Sequence, residues 1–531
     1  MLRLLRGRRN EVMDGDSTPS RGSGRHFLLA LALLLIASSV AHAQEDALER
    51  VKKKGELRWT ADTSGGAPYV FEDPRRSGRF IGFEADLADA IAEKLGAKAV
   101  LDSCEYEQIF NKLNRGDVEL GINGIELTGE KKKVAELSRP YYVAAMRLAI
   151  RTDQKPVTFL EEMKGKSIGV VPTTLAEKLV AEAGAVPRPY GQGFENVYRQ
   201  LAQGLTDGVL TDDPTTLYYA TFEPGVRVLD KSFGELRYVV ACARGQTRLC
   251  DAVDGALDEL RKERKLRAIY EKWGLWNADT ANLLDDSEVR PAPRPGFDYW
   301  VSAVKPRPFL ERVKDYPEHL PSLAVGALKT LLISLASFAG AMCLGVLLAI
   351  SRRYGPLPLR WFAVVYIEVF RGTPLLVQLF FIYFGLPDFG IAVNPYVAGI
   401  LGLALNYAAA EAENYRAGLE SVPSGQLEAA WALGLSTWQA VRYVVIPQAV
   451  RIAIPPATND FIALLKDSSL VSAITATELL RATQNAVTAT RDSRGFYALC
   501  ALIYLLLGLP FSRLARWAEQ RMSAYLRRAE Q

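Results

Sequence analysis

Three charged side chains interrupt an apolar run near the carboxyl end of the sequence. Asp460, Lys466 and Asp467 lie within residues 452–474, a run of the length that a membrane-spanning helix requires. A charge in lipid is costly, so these side chains should face the protein interior or an interface, where they would mark a polar pathway through the membrane. The alternative is that Lys466 and Asp467 merely form ion pairs across a helix interface.

Motifs for covalent chemistry, nucleotide hydrolysis and metal binding are missing from the sequence. A phosphate-binding loop needs the pattern G-x-x-x-x-G-K-[ST], and the Gly-Lys-Ser at residues 165–167 has Leu160 in place of the first glycine. The three histidines and five cysteines show no metal-ligand spacing, and no nucleophile and base form a recognisable catalytic motif. The sequence therefore predicts a protein that is not an enzyme, has no ATPase site of its own, and needs no cofactor or metal.

Membrane-spanning segments are concentrated in the second half of the chain. Residues 331–350 and 389–410 carry no charge and are long enough to cross ~30 Å of hydrocarbon as helices. Weaker candidates are residues 361–386, 452–474 and 496–512. Residues 321–531 are thus predicted to form an all-α transmembrane domain of about five helices.

The amino-terminal residues have the pattern of a secretory signal. Arginines precede an apolar run at residues 27–40, and Ala41-His42-Ala43 ends it with small residues around a cleavage site. Residues 1–43 are therefore predicted to be a signal peptide, with an uncleaved anchor as the alternative, and the following residues to be exported. Cys242 and Cys250 lie close together in this exported part and are predicted to form a disulfide in an oxidising compartment.

The exported part, residues 44–276, alternates strand-like and helix-like patterns. Residues 56–60 and 167–171 favour strands, whereas residues 84–95 and 175–183 have apolar residues at helical spacing. This alternation predicts α/β lobes with mostly parallel sheets.

Four segments of the exported part carry a family resemblance. They are GFEADLA from Gly82, DVEL from Asp117, SRPYY from Ser138 and DGVLTDDP from Asp207. Their order and spacing resemble periplasmic solute-binding proteins of the polar amino-acid uptake family. The resemblance implies a type II, two-lobed α/β protein that closes like a hinge.

That resemblance also implies the lobes and the ligand contacts. Lobe 1 would comprise about 44–141 and 244–276, lobe 2 about 152–235, with crossing strands near 142–151 and 236–243. In the family, a segment similar to S-G-M-T-I-T-P-E-R holds the ligand carboxylate, and an aspartate accepts the ligand ammonium group. The corresponding substrate-binding candidates are Tyr106, Asn123, Gly124, Glu126, Thr128, Lys131, Thr174 and Asp212.

Four positions depart from the family pattern. Lys131 keeps the charge of the usual arginine but loses its two-pronged geometry, and Glu126 places a carboxylate where a hydroxyl is usual. Gly66 stands at the position of the ligand-stacking aromatic residue, and Leu175 replaces a threonine. Either Glu126 pairs with Lys131, or the ligand is unusual, such as a cationic or polyhydroxylated solute. The alternatives are a solvated surface pair for these two residues and a turn-forming role for Asp212.

Residues 277–320 are polar and rich in proline, with the sequence RPAPRPG at residues 290–296. Such a composition predicts a stiff, extended linker. The linker would keep the exported domain close to the membrane domain and raise its effective concentration there.

Residues 428–447 form a polar segment between membrane spans. Gly434 can end a short helix with a positive φ, and Pro447 is expected to end the next helical run. The spacing of Glu428, Ala429, Ala430, Gly434 and Pro447 resembles the cytoplasmic coupling loop of ABC importer permeases, here residues 420–447, which docks on an ATPase subunit. RGTPLLVQ from Arg371 and NDFIALLKDSSL from Asn459 resemble the same permeases. The alternative is a plain helical hairpin.

Together, the resemblances imply a fused solute-binding and permease subunit of an ABC importer in a bacterial inner membrane, with its binding domain in the periplasm. It would take up a polar amino acid or a related small polar solute, driven by a separate ATPase, and one coupling loop per chain implies a permease homodimer. The lipid bilayer is a further partner, and no nucleic acid is expected. The alternatives are a ligand-gated channel with a glutamate-receptor-like binding domain and a periplasmic dehydratase-like enzyme.

Overall fold

A computed structural model of the chain describes residues 46–172, 174–190, 194–286, 292–304, 308–389, 391 and 393–529. The predicted signal peptide, residues 1–43, lies outside the described residues, as do Thr173 and the Arg290-Pro291 pair of the linker.

The exported part is built on two five-stranded sheets and a hairpin. Its strands are β1 Glu56–Thr60, β2 Phe71–Asp73, β3 Arg76–Ile81, β4 Lys98–Leu101, β5 Leu120–Gly121, β6 Ala135–Leu137, β7 Tyr142–Arg151, β8 Ser167–Val170, β9 Val186–Pro189, β10 Gly208–Asp212, β11 Val226–Tyr238 and β12 Ala241–Ala243. Sheet 1 has the order β4-β1-β5-β12-β6, sheet 2 has the order β11-β7-β10-β8-β9, and β2 pairs with β3.

Both sheets are mixed rather than mostly parallel, which corrects the sequence-based expectation. In sheet 1, β1 runs parallel to β4 and β5, but β12 runs antiparallel to both of its neighbours. In sheet 2, β8 runs parallel to β9 and β10, but β7 is antiparallel to β10 and β11. The antiparallel strands lie next to the two places where the chain passes from one sheet to the other. The α/β lobes themselves are present as expected.

Helices cover the two sheets. They are α1 Ala47–Lys54, α2 Phe83–Lys94, α3 Ile109–Asn114, α4 Lys131–Val134, α5 Leu175–Glu182, α6 Phe194–Ala202, α7 Asp213–Tyr219, α8 Thr247–Lys262, α9 Lys265–Lys272 and α10 Ala278–Leu283. Local chemistry sets their ends: Asp46 accepts a hydrogen bond from Leu48 N at the start of α1, and Gly55, at φ 65°, ends this helix.

The chain crosses between the sheets beside two paired tyrosines. Tyr142 opens β7, Tyr238 closes β11, and the two residues are paired in the antiparallel register. Their rings stack with centroids 5.9 Å apart. The lobes are therefore joined at a buried aromatic contact rather than by loose chain.

Helices also form in the segment that was expected to be an extended linker. They are α11 Pro295–Val304 and α12 Phe309–Arg312. Trp300 is fully buried and packs on Tyr218 and Phe222 with ring centroids 4.8 and 5.8 Å apart, and Phe297 also packs on Tyr218. The expectation is wrong for these residues because two aromatic side chains one helical turn apart bury themselves in the core of the exported domain.

Long helices form the remaining part of the described chain. They are α13 Tyr316–Tyr354, α14 Leu357–Gly372, α15 Leu375–Phe380, α16 Pro395–Glu420, α17 Ser424–Ala432, α18 Thr437–Ala440, α19 Ile446–Asp467, α20 Leu479–Thr490 and α21 Ser493–Ala529. Within the described residues, Val313–Tyr354 and Ser493–Trp517 are long and apolar enough to cross a membrane, and the pair Leu357–Gly372 and Leu375–Gly385 adds a third candidate if it counts as one span. The other long helices, α16 and α19, have 26 and 22 residues. The count of five spans therefore stays a prediction.

The candidate span at residues 361–386 is bent rather than straight. Its two helices meet at an angle of 108°, with Pro374 at the break because proline lacks the N–H needed to continue the helix. Gln378 Nε2 donates to Phe370 O at 3.0 Å and to Thr373 O at 3.1 Å, so it satisfies carbonyl groups that the break leaves without helical partners.

Candidate functional site

A cavity of about 110 Å³ lies between the two sheets of the exported part. Six of the eight predicted substrate-binding residues line it: Tyr106, Asn123, Gly124, Glu126, Thr174 and Asp212. Lys131 lies behind Glu126, and the Thr128 hydroxyl accepts a hydrogen bond from Lys131 N at 3.3 Å. The fold therefore brings these residues together around one small polar space.

Asp212 reaches the cavity because it ends β10 and starts α7. Its Oδ1 accepts from Thr215 N at 2.8 Å, which is a helix-capping bond. The turn-forming role considered for Asp212 is thus present, yet the residue also lines the cavity. A carboxylate can accept about four hydrogen bonds, so capping leaves acceptor capacity for a ligand.

Glu126 and Lys131 form a buried pair rather than a solvated surface pair. Lys131 Nζ donates to Glu126 Oε2 at 3.3 Å, and the two side chains are only 13 % and 8 % exposed, respectively. The same ammonium group donates to Tyr106 OH at 3.1 Å. Burial lowers the pKa of Lys131, but Tyr106 and Glu126 raise it more, so the pKa is raised overall and Lys131 is charged.

Glu126 also joins the two lobes. Its Oε1 accepts from Leu175 N, at the first turn of α5 in the second lobe, at 3.2 Å. Both oxygens of this carboxylate are therefore used, one by each lobe. Leu175 thus contributes to the site through its backbone, although its side chain departs from the family pattern.

The cavity has aromatic walls that the sequence pattern missed. Tyr69 and Tyr238 both line it, and their hydroxyl groups lie 3.2 Å apart. Gly66, where the family places an aromatic residue, has φ +84°, and a Cβ there would collide with the Tyr219 side chain. The aromatic wall therefore comes from Tyr69, three residues later in the sequence. An aromatic residue so close in sequence to Gly66 is the signal from which this wall could have been predicted.

Asp62 is another lining residue that the sequence analysis missed. Its Oδ1 accepts from Ser64 N at 2.8 Å and from Ser64 Oγ at 2.6 Å, while Asn123 Oδ1 accepts from Asp62 N at 2.6 Å. These bonds hold the Asp62 carboxylate at the cavity wall. An aspartate two residues after the end of a mostly buried strand, here β1, is the available signal for such a position.

Two further carboxyl groups lie behind the lining. Glu84 is buried, and its Oε1 accepts from Gly124 N at 2.6 Å and from Tyr141 OH at 2.5 Å. Burial raises the pKa of Glu84 to about 8, although these hydrogen bonds lower it, and burial raises the pKa of Asp213 to about 7. Glu84 therefore keeps its proton at neutral pH, and the acidic residues that line the cavity itself are Asp62, Glu126 and Asp212.

The exported part contacts the helical part through α20. Arg481 Nη1 donates to Glu105 Oε1 at 2.5 Å, and Thr63 Oγ1 donates to Asn485 Oδ1 at 3.3 Å. At the other end, Arg491 lies 4.0 Å from Glu223 of the second lobe. One short helix therefore touches both lobes beside the cavity. Glu478 caps this helix and accepts hydrogen bonds from the N–H groups of Leu480 and Arg481.

The predicted coupling segment folds as two short helices around Gly434. Glu428, Ala429 and Ala430 lie in α17, and Gly434 has φ +82°, as expected for a helix stop. Three large apolar side chains are exposed around it: Leu433 at 83 %, Trp438 at 66 % and Tyr443 at 66 %. This exposed surface is typical of a docking site.

Pro447 begins a helix rather than ending one, which corrects the expectation. It lies in the first turn of α19, where a missing N–H costs nothing. The preceding turn, Val441–Val445, is a wide π turn that connects α18 to α19. The chain therefore continues helically past Pro447 into the membrane domain.

The charged residues of α19 differ in their surroundings. Asn414 Nδ2 donates to Asp460 Oδ2 at 2.8 Å, and Tyr407 OH donates to Asp467 Oδ2 at 2.7 Å, so both aspartates face α16. Lys466 is exposed and forms no ion pair with a described residue. Sequence reasoning missed Glu411, a buried residue of α16 whose carboxylate lies close enough to Asp460 to feel its charge.

Cys242 and Cys250 lie with their sulfur atoms 2.7 Å apart, and both are free cysteines in the structure. Strand β12 and helix α8 pack together and so bring the two side chains into contact. The predicted disulfide is therefore not formed here, and the pairing stays a prediction.

Two family models match the chain. Residues 60–275 match the bacterial extracellular solute-binding proteins of family 3, and residues 341–524 match the inner membrane components of binding-protein-dependent transport systems. These two ranges correspond to the exported α/β part and to most of the long-helix part.

Individual permease relatives agree with the model of the inner membrane component. The L-cystine transport system permease protein TcyB of Bacillus subtilis (strain 168) is 36% identical over 207 residues, 39% of this chain and 88% of the relative. The glutamine transport system permease protein GlnP of Escherichia coli (strain K12) is 37% identical over 205 residues, 38% of this chain and 94% of the relative. A solved structure of an ancestral arginine-binding protein bound to arginine is 31% identical, covers 41% of this chain and 98% of its own, and has a TM-score of 0.39.

Proposed function

This chain belongs to the amino-acid ABC importers, with a solute-binding domain and a permease domain fused in one polypeptide, and we propose that it takes up a polar amino acid or a related small polar solute with energy from a separate ATPase subunit. The family favours this role over a ligand-gated channel or a dehydratase-like enzyme, and its permease relatives agree with a transporter rather than an enzyme. The chain is a membrane protein, and the proposed location is the inner membrane of a bacterium.

One observation carries the proposal: the helix α20 of the permease domain touches both lobes beside the cavity. Arg481 of this helix reaches Glu105 of the first lobe, and Arg491, directly after the helix, reaches Glu223 of the second lobe, so the permease domain contacts both lobes. Cargo released by opening of the lobes would enter the permease domain at this contact. The proposed cargo contacts are the cavity residues with Lys131 and Thr128, and the proposed pathway passes Asp460, Lys466 and Asp467.

The ATPase would dock on residues 420–447. Supporting this are the exposed apolar side chains around Gly434 and the turn that this glycine allows. A second copy of the permease would complete the membrane pathway, because the exposed Lys466 needs a polar partner or a water-filled surface within the membrane. The proposed domain bounds are 44–276 for solute binding, 277–320 for the linker and 321–531 for the permease.

Co-purification tests the coupling role. The Gly434→Asp variant places a β-carbon and a carboxylate at a residue with positive φ, so it should disrupt the turn and abolish both co-purification of an ATPase and ATP-driven uptake. The matched control is Gly255→Asp, at an exposed glycine of α8 in the solute-binding domain without close neighbours, which should keep association. Unchanged association and uptake in Gly434→Asp would remove the coupling role from this segment.

A further inference from the structure

The charges around the cavity are strongly unbalanced. Asp62, Glu126 and Asp212 line it, whereas no lysine or arginine is found among the described lining residues. The nearest basic groups lie behind the wall. Arg481 approaches from the permease side but is bound to Glu105, and Lys131 is bound to Glu126.

Glu126 uses the donors that a ligand carboxylate would need. Lys131 Nζ points to one of its oxygens at 3.3 Å, and Leu175 N donates to the other at 3.2 Å. One donor belongs to the first lobe and the other to the second, so the Glu126 side chain bridges the two lobes. A solute with its own carboxylate would have to displace this side chain or face it as a like charge.

The other acids keep capacity for a cation. The Oδ1 atom of Asp212 accepts one capping bond, and the Asp62 carboxylate accepts bonds from Ser64 and from Tyr106 N. Ionised carboxylates accept about four hydrogen bonds each. Tyr69, Tyr106 and Tyr238 add aromatic surface to the walls, which favours a positive group through cation–π attraction.

We propose that the cargo is a small organic cation without a free carboxylate group, an amine or guanidine compound, and that Glu126 acts as a built-in carboxylate which closes the lobes in place of one on the cargo. This inference rests on the proposed function, in which the cavity is the cargo site. It narrows the class of related polar solutes to cations held by Asp62 and Asp212. An anionic or zwitterionic solute is expected to bind more weakly, because Lys131 and Leu175 N already donate to Glu126 and are not free for its carboxylate.

Matched pairs of solutes test this directly on the full chain in lipid nanodiscs. Arginine and agmatine, ornithine and putrescine, and lysine and cadaverine each differ only by the carboxylate group. Calorimetric titration should give at least tenfold tighter binding for the amine of at least one pair than for its amino acid. Equal or tighter binding of the amino acid in every pair that binds, or no binding of any of the three amines at millimolar concentration, overturns the inference.

A variant tests the role of Glu126 itself. Glu126→Gln keeps the size and an acceptor oxygen but removes the charge, so the preference for the amine should shrink by tenfold or more. Glu130→Gln is the matched control, since Glu130 lies four residues later and is exposed, and it should keep the preference. An unchanged preference in a folded Glu126→Gln protein would overturn the built-in carboxylate. The comparison of each amino acid with its amine uses the unmodified chain, so it remains a test even if the variant fails to fold.

Failure of the cation inference can be distinguished from failure of the proposed importer function. If the amino acid binds at least as tightly as its amine in every pair that binds, and is taken up with ATP, the importer stands and the cation inference falls. If agmatine is preferred but no ATPase associates with the chain, the cavity assignment stands and the coupling proposal falls.

Discussion

Arg481 of the permease domain and Glu105 of the solute-binding domain form an ion pair of 2.5 Å, with only 2 % of the arginine side chain exposed. Asp62, a wall residue of the cavity, adds to the negative field around this arginine. The pair therefore links the membrane domain to a residue next to the cargo site, Tyr106 following Glu105 directly. Because a buried charge without its partner is costly, we expect the docking of the two domains to depend on this pair.

A charge reversal should undo this docking. Arg481→Glu faces Glu105 and Asp62 with a like charge, and we expect the engineered cysteine pair Thr63→Cys and Asn485→Cys to cross-link with less than half of its original yield. The double change Arg481→Glu with Glu105→Arg should recover the yield, as measured by mass spectrometry of the linked peptide. Arg494→Glu, at an exposed arginine nearby, is the control. A cross-link that survives Arg481→Glu would show that the ion pair does not hold the domains together.

We expect the proposed cargo site to depend on the charge of Asp212. Asp212→Asn keeps an oxygen for the capping bond to Thr215 N, so the fold should persist while the cation-binding charge is lost. We expect cargo affinity to fall by tenfold to a hundredfold in calorimetric titration, with little change in the thermal midpoint. Asp230→Asn, at an exposed aspartate of the same lobe, should bind normally. Normal affinity in Asp212→Asn would exclude this carboxylate as a ligand contact.

The sequence predicted which residues lie at the cavity better than it predicted their contacts. Six predicted residues line the cavity because the motif segments lie at strand ends, where parallel strands place side chains together. The contact from Leu175 N to Glu126 joins residues that are 49 positions apart in different lobes, so no local pattern carries it. The family resemblance places an aromatic residue at Gly66 and so does not predict Tyr69 as the wall of the cavity; the lack of a side chain at Gly66 makes room for Tyr219.

The linker shows how composition and packing can disagree. Prolines and charges at residues 290–296 indicate extended chain, but Phe297 and Trp300 follow with the spacing of one helical turn. Burial of two aromatic side chains outweighs the local preference, because each buries a large apolar surface. Pro447 is a similar case, since proline is compatible with the first turn of a helix as well as with its end.

Trp300 should therefore be part of the solute-binding fold. Trp300→Ala leaves a cavity beside Tyr218 and Phe222 and should lower the free energy of unfolding of this domain by about 3–5 kcal/mol. Urea unfolding of the full chain in nanodiscs, followed by tryptophan fluorescence, measures the change. Trp438→Ala, at an exposed tryptophan, should have little effect. If Trp300→Ala lowers the free energy of unfolding by less than about 1 kcal/mol, residues 295–304 are a linker and not part of the solute-binding fold.

The protonation of Glu84 gives the solute-binding domain a pH-dependent stability. Burial raises the folded-state pKa of Glu84 from 4.5 to about 8, so the folded state keeps a proton that the unfolded state releases above pH 4.5. The stabilisation is complete below the unfolded pKa and is lost as the pH rises through the folded pKa, by about 1.4 kcal/mol per pH unit at most. Asp213, with a pKa of about 7, acts in the same direction.

Thermal unfolding of the full chain between pH 5 and pH 8.5 should thus show a falling midpoint, and Glu84→Gln should flatten this fall. Glutamine keeps a carbonyl oxygen for Gly124 N and Tyr141 OH but cannot ionise. The contribution of Asp213 is common to both proteins and cancels in their difference. Glu130→Gln, which removes an exposed carboxylate from the same lobe, should follow the unmodified chain. Parallel curves for Glu84→Gln and the unmodified chain would mean that Glu84 is already ionised in the folded protein, because only a proton held by the folded state can make the two curves diverge with pH.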